Sequence, residues 1–281
     1  MAIAAVGIAG LSSCSSFFYQ PSKNIYFVLD PARVYFEEVK INTPDGETLH
    51  GWYFPAQTQT PELKKGSLIP SKGLVVQFHG NGQNLTAHFL SFAWVMNEGY
   101  DFFTFDYRGY GESTGKSSQE GLYRDALTVL DWATKKSPRV IAVGQSLGGA
   151  VLARAFPDFK GRDSVKGIVL DSTFYSYQAI AEDVLSRFWL TWPFQWLGVL
   201  WVSDQTASEK YIPKISPTPL LVIHGTHDQT VPFKFGEKIF ALAKEPKTLI
   251  KVEGGEHIDA MSEARHGIIY RKMFLDWVAT K

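Results

Sequence analysis

The chain has 281 residues with 28 Lys plus Arg against 28 Asp plus Glu, so its formal charge is zero and a nucleic-acid-binding surface has no compositional support. Charged residues at 20% and aromatic residues at 14% exclude disorder as the main state, and the length suits one large α/β domain or two small ones. The single cysteine, Cys14, excludes an intramolecular disulfide and a cysteine-based zinc site, leaving only histidines and carboxylates as metal ligands.

Residues 2–11 form an apolar run well short of the roughly 20 residues that span a bilayer, but of the length of a signal-peptide core. The run ends in Leu11, Ser12, Ser13 and Cys14, which resembles the bacterial lipobox, where small residues precede a cysteine that is lipidated and becomes the mature N-terminus. No Lys or Arg precedes the run, so the positive stretch that opens such a signal is missing unless the true start lies upstream. The expectation is a lipid anchor at Cys14 that holds the protein to a membrane on its extracytoplasmic side. The competing expectation is an ordinary N-terminal tail with an incidental cysteine, and a cytoplasmic protein. Residues 1–24 are read as this segment plus a polar linker, and residues 25–281 as one domain.

Residues 34–41 and 48–54 alternate as strands around Thr43, Pro44, Asp45 and Gly46, a turn signature that predicts an antiparallel edge hairpin. Short continuous apolar runs follow at residues 74–78, 102–105, 140–143, 168–170, 220–223 and 249–252, the pattern of strands covered on both faces. Between them lie stretches of helical period at residues 85–97, from Ser118 to before Pro138, and at 147–156, 233–243 and 263–279. Repeated βα units of this kind cross over right-handed and build one twisted, mostly parallel sheet of eight strands, with ligands bound at the carboxyl ends of the strands.

The run at 140–143 leads through Gly144, Gln145, Ser146, Leu147, Gly148 and Gly149 into a helix. This is a G-x-S-x-G pattern between a strand and a helix, where a tight turn lifts the serine to a helix N-terminus that favours an oxyanion. A second match, Gly111 to Gly115 around Ser113, has neither strand before it nor helix after it, so Ser113 is read as loop structure. A serine nucleophile needs a base, and the base needs a carboxylate to hold it. Of the seven histidines, His257 follows the last strand and Gly254-Gly255, whereas His266 falls inside the final helical pattern. For the carboxylate, Asp228 follows the run at 220–223; Asp171, at the end of the run at 168–170, competes with it, and Asp259 is too near His257 in sequence. Oxyanion donors are expected from the backbone N–H of Leu147 and from the loop His79-Gly80-Asn81-Gly82, with Asn81 first and Gly82 second. His79 itself is read as structural. His224 and His227 have H-x-x-H spacing, a weak metal signal on a loop with no third ligand, and neither a metal nor a cofactor is expected.

His79-Gly80-Asn81-Gly82, the segment from Asp106 through Arg108 to Gly111, Gly144 to Gly149, His224 through Asp228 to Pro232, and Gly255-Glu256-His257 together resemble the α/β-hydrolase superfamily. Within it the chain is similar to small ABHD-type serine hydrolases, which include acyl-protein thioesterases. The resemblance implies an α/β-hydrolase fold, a triad of Ser146, Asp228 and His257, and hydrolysis of small-molecule acyl esters or thioesters. Serine peptidase or aminoacyl hydrolase activity, or a non-catalytic ligand-binding lipoprotein, are the alternatives. A serine in the elbow argues against the dehalogenase and epoxide hydrolase relatives, which use a carboxylate there. Residues 174–215 are expected to hold a small helical cap; residues 188–201 carry four of the eight tryptophans, suited to an apolar acyl pocket or a membrane interface. A pair of buried helices is the plainer reading of the same stretch.

Overall fold

The computed structural model describes residues 19–58, 66–187, 202–262 and 265–281. Cys14 and the tryptophan-rich stretch 188–201 lie outside the described residues. Eight strands form one sheet in the order β1-β2-β4-β3-β5-β6-β7-β8. These are β1 Glu37–Asn42, β2 Thr48–Phe54, β3 Leu74–Phe78, β4 Asp101–Phe105, β5 Val140–Gln145, β6 Val165–Asp171, β7 Leu220–Gly225 and β8 Lys247–Val252. β1 pairs antiparallel with β2 and β2 with β4, while every pairing from β4 through β8 is parallel. The edge hairpin turns where expected: Gly46 adopts φ +93°, and Glu47 N–H donates to Thr43 Oγ1 at 2.9 Å.

The central strands are buried along their whole length because helices cover both faces, and alternate residues feed two separate cores. Val76, Phe78, Phe103, Phe105 and Ala142 face one core, shared with helices α2 (Gln119–Lys136) and α3 (Leu147–Ala155). Val75, Phe102, Ile141, Val143 and Val169 face the other, closed by Phe92 and by Phe274 and Trp277 of α6 (Gly267–Ala279). β8 departs from the expected continuous burial: Thr248 and Lys251 are exposed and only Ile250 and Val252 are buried, because β8 is an edge strand.

Helix ends follow local chemistry. Ser118 caps α2 by accepting from Gly121 N–H at 3.0 Å, and the residue before Pro138 has turned extended, as steric conflict with a following proline requires. The helical pattern over 85–97 resolves differently, into a four-residue helix α1 (Leu85–His88) followed by 3₁₀ turns at Phe89–Ser91 and Ala93–Glu98. The carbonyl of His88, which a continuing α-helix would give to Phe92 N–H, instead accepts from Gln77 Nε2 at 3.0 Å and Ser91 Oγ at 2.9 Å. Phe92 N–H turns to Phe89 O. The remaining described helices are α4 (Tyr177–Ser186), within the interval expected to form a cap, and α5 (Phe233–Leu242).

The stretch read as a polar linker is, from Tyr19 onward, part of the domain. Tyr19 is 4% exposed and packs in the core near Tyr110 and Tyr177. The chain then runs beside the loop that follows β3, with Ser22 N–H donating to Gln83 O and Asn84 Nδ2 donating to the carbonyls of Ser22 and Asn24. A linker pattern and a strap pattern share the same polar composition, because a strap is held by its backbone groups and one or two side chains. Tyr19→Ala is expected to destabilise the protein by about 3 kcal/mol, the cost of emptying a buried aromatic site, read as a lower urea midpoint with unchanged slope.

Candidate active site

Ser146 occupies the junction between β5 and α3 with φ +51° and ψ −117°, a backbone conformation that costs a non-glycine residue on the order of 1–3 kcal/mol. It is the N-cap residue of α3, yet its side chain makes no capping bond, so the hydroxyl is not spent on the helix. The glycines on either side permit the turn. A Cβ on Gly144 would lie 2.5 Å from Gly149 Cα, and one on Gly148 would lie 2.0 Å from Phe78 O. The distorted backbone is clasped by the end of β6: Ser146 N–H donates to Asp171 O at 2.9 Å, and Thr173 Oγ1 donates to Ser146 O.

His257 and Asp228 are brought together from the loops after β8 and β7. His257 Nδ1 donates to Asp228 Oδ2 at 2.7 Å, and the other carboxylate oxygen accepts from Thr230 and Val231 N–H, both at 2.8 Å. The Asp228 side chain is fully buried while the His257 side chain keeps 20% of its surface exposed, so the ring is held on one side and open on the other. With Nδ1 carrying the proton, Nε2 is the acceptor nitrogen.

The loop after β3 lies against the elbow: a Cβ on Gly80 would stand 3.5 Å from Ser146 Cβ. The Asn81 side chain is fixed from three directions, since its Oδ1 accepts from Gly82 N–H at 2.9 Å, Gln20 N–H at 3.0 Å and Tyr110 Oη at 2.8 Å. His88 Nε2 donates to Gly82 O at 3.2 Å; burial, helped by neighbouring His79 and His257, pushes its pKa down to about 3, so it is neutral near pH 7. As the first residue of α3, Leu147 presents an N–H that has no acceptor within the helix.

The other candidates fall elsewhere. Ser113 is buried loop structure, donating to Asp106 O at 2.7 Å and accepting from His50 N–H. His79 is fully buried, accepts a bond from Tyr107 Oη on its carbonyl, and faces Asp106 Oδ1 at 3.4 Å with no hydrogen bond formed. His224 Nε2 donates to Val231 O at 2.7 Å inside the core, whereas His227 is exposed, so the two do not share one environment. His266 stands at the N-cap of α6 rather than inside it. Asp171 is fully buried, with Oδ2 accepting from Gln145 Nε2 at 2.9 Å and Oδ1 from Ser172 Oγ at 3.2 Å. Both its oxygens are engaged away from the imidazole. Gln77, Gln145, Ser172 and Tyr110 were not singled out from the sequence; the one available signal was two polar glutamines inside or beside apolar strand runs.

A family model described as "Serine aminopeptidase, S33" matches residues 69–216. The "Uncharacterized protein YfhR" of Escherichia coli K12 is 36% identical over 272 residues, covering 94% of this chain and 86% of that protein. The chain belongs to the α/β-hydrolase superfamily, and its relatives there are ABHD-like. "Lysophosphatidylserine lipase ABHD12" of Macaca fascicularis is 30% identical over 202 residues, 68% of this chain and 50% of that one. Among solved structures, an esterase of Pyrococcus furiosus superposes with a TM-score of 0.68 at 19% identity, over 91% of this chain and 95% of that one, a likeness of fold alone. As an α/β hydrolase with such relatives, the protein is a hydrolase.

Complete burial pushes Asp171 up to about 6, against the lowering effects of Gln145, His257 and Ser172. An unfolded aspartate titrates near 3.9, so between these values the folded protein binds the extra proton. The stability this group contributes is therefore fully present below about pH 4 and lost as pH rises through about 6. Asp171→Asn is expected to remove that dependence: in urea unfolding, the variant gains on the wild type between pH 4 and 7.

Proposed function

We propose that the protein hydrolyses carboxylic esters or thioesters through an acyl-Ser146 intermediate. The observation that carries this reading is the Ser146 hydroxyl, held on a strained helix N-cap without capping it, on the same sheet edge as a histidine whose Nδ1 is bonded to a buried aspartate. In the first half-reaction His257 Nε2 takes the Ser146 proton as Oγ attacks the acyl carbon. Asp228 holds the imidazole in the required tautomer and offsets the charge of the imidazolium. The tetrahedral oxyanion is met by Leu147 N–H and Asn81 N–H; Gly82 N–H, the second candidate in that loop, is already given to Asn81 Oδ1. Loss of one such donor typically costs about 2.7–4 kcal/mol of barrier stabilisation. Collapse breaks the bond to the leaving alcohol or thiol, which receives the proton from His257. Water, activated by the same base, then releases the acid and restores Ser146.

A fluorophosphonate probe tests this mechanism. The wild type is expected to label and Ser146→Ala to lose both label and turnover; undiminished labelling of Ser146→Ala would overturn the reading. The description of the matching family as a serine aminopeptidase favours one rival, amide hydrolysis. Comparing p-nitrophenyl esters of short to long acyl chains with matched anilides decides between them: esters are expected to be turned over and medium or long chains preferred, in keeping with the apolar, tryptophan-rich composition of residues 188–201.

The second part of the proposal is a lipid anchor at Cys14 that places the enzyme on a membrane. Support comes from Leu11, Ser12, Ser13 and Cys14, which follow an apolar run as in a lipobox; the groove of about 830 Å³ near the N-terminal strap adds none, since it mixes exposed Phe27, Val28 and Ile268 with charged Arg33, Glu98 and Arg271. Cys14→Ala is expected to move the enzyme from the membrane to the soluble fraction with its esterase activity intact; membrane recovery equal to that of the wild type would refute the anchor.

A further inference from the structure

Three consecutive residues, the last of β6 and the two that follow it, connect the two halves of the site. Asp171 O accepts from Ser146 N–H, Thr173 Oγ1 donates to Ser146 O, and between them Ser172 Oγ accepts from Ile258 N–H at 3.2 Å. Ile258 is the neighbour of His257. Ser172 and Ile258 both adopt positive φ, +49° and +54°, as Ser146 does. For the β-branched Ile258 this conformation is a genuine outlier, which persists only where its surroundings impose it.

Ser172 is 1% exposed and is held from both sides. Its N–H donates to Ile223 O, extending the β6–β7 ladder past the strand end, and its hydroxyl donates to Asp171 Oδ1. Behind Asp171 the buried chain continues through Gln145 Nε2 on Oδ2, and Gln77 Nε2 and Ser91 Oγ on Gln145 Oε1 at 2.8 and 2.9 Å. Every member of this chain is anchored to a strand or to the turn after α1. The hydroxyl can therefore present its acceptor lone pair to Ile258 in one direction only. Asp228 fixes the His257 ring about its own axis, but it does not fix the backbone from which that ring hangs. The Ser172 bond does.

We infer that Ser172, backed by Asp171 and Gln145, is a positioning residue for His257, a second support independent of Asp228; this rests on the proposed serine hydrolase mechanism. Its loss lets the His257 loop relax from positive φ, which displaces Nε2 from the line to the leaving group. Protonation of a poor leaving group by His257 then suffers most, since general acid catalysis is worth typically 10²–10⁴-fold and depends on geometry. A p-nitrophenolate needs no such proton.

The test compares an unactivated alkyl ester with the p-nitrophenyl ester of the same acid, for wild type and Ser172→Ala, with rates normalised to the fraction of enzyme that a fluorophosphonate labels. The expected result is a fall in kcat of about tenfold or more on the alkyl ester, about twofold on the activated ester, and KM within about twofold on both. Ser172→Gly, which removes the hydroxyl while relieving its positive φ, guards against misfolding and is expected to show the same split. Equal losses on both esters in the two variants, or no loss in either, would overturn the proposal. A wild type that neither labels nor turns over would instead remove the mechanism on which it rests.

Discussion

The constraint on which this site depends is the positive-φ backbone at Ser146, forced where β5 hands the chain to α3. A serine held this way occupies the N-cap position while its hydroxyl makes no capping bond. The conformation is possible only because α3 lies almost in contact with β3 and β5, so close that Gly148 leaves no room for a Cβ beside Phe78 O. That closeness in turn requires the sheet order in which β3 and β5 are neighbours. The strain is offset by bonds that occupy both backbone groups of Ser146. A local distortion is thus carried by the whole central sheet, which is where burial is complete and the structure least able to relax.

The same logic repeats around the sheet edge. The four non-glycine residues of positive φ among the described residues are Gln83, Ser146, Ser172 and Ile258. Each sits in a different loop of the candidate site, and each is tied to another of these loops or to the strap. Gln83 O takes the bond from Ser22 N–H, so the N-terminal strap restrains the loop that carries Asn81. If the anchor at Cys14 holds, only four residues separate the lipidated position from Tyr19. Membrane attachment and the geometry of the oxyanion loop would then share one short piece of chain.

Much of this was legible in the sequence because it follows from patterns of short range. β2 begins and ends where the hairpin pattern places it and β3 where its apolar run does, and the elbow is recognisable since its glycines are demanded by contacts that recur wherever a strand meets a helix so tightly. His257 and Asp228 could be picked by their place after the last two strands. What stayed hidden depends on contacts distant in sequence. Gln77 and Gln145 are 68 residues apart and read singly as blemishes in apolar strands, yet they face each other across β3 and β5. Tyr19 lies in a stretch whose composition says linker, and only its fit beside Tyr110 and Tyr177 draws the chain down. The break after His88 likewise needs Gln77 to claim a carbonyl, which no helical period can foretell.

Two carboxylates lie near His257, and the fold determines which one can meet the ring. Asp171 ends a central strand, where its side chain points into a dry layer and both oxygens are taken by Gln145 and Ser172. Desolvation there raises its proton affinity, which makes it a poor partner for a ring that must become cationic. Asp228 stands three residues beyond β7, past a turn that aims two backbone N–H groups at one of its oxygens and leaves the other to the imidazole. Donors fixed in the backbone orient the carboxylate through Oδ1, without competing for the oxygen that bonds His257. Moving a carboxylate from the strand end to the following loop thus changes its role from a strut in the sheet to a partner for the base, and the structure retains one of each.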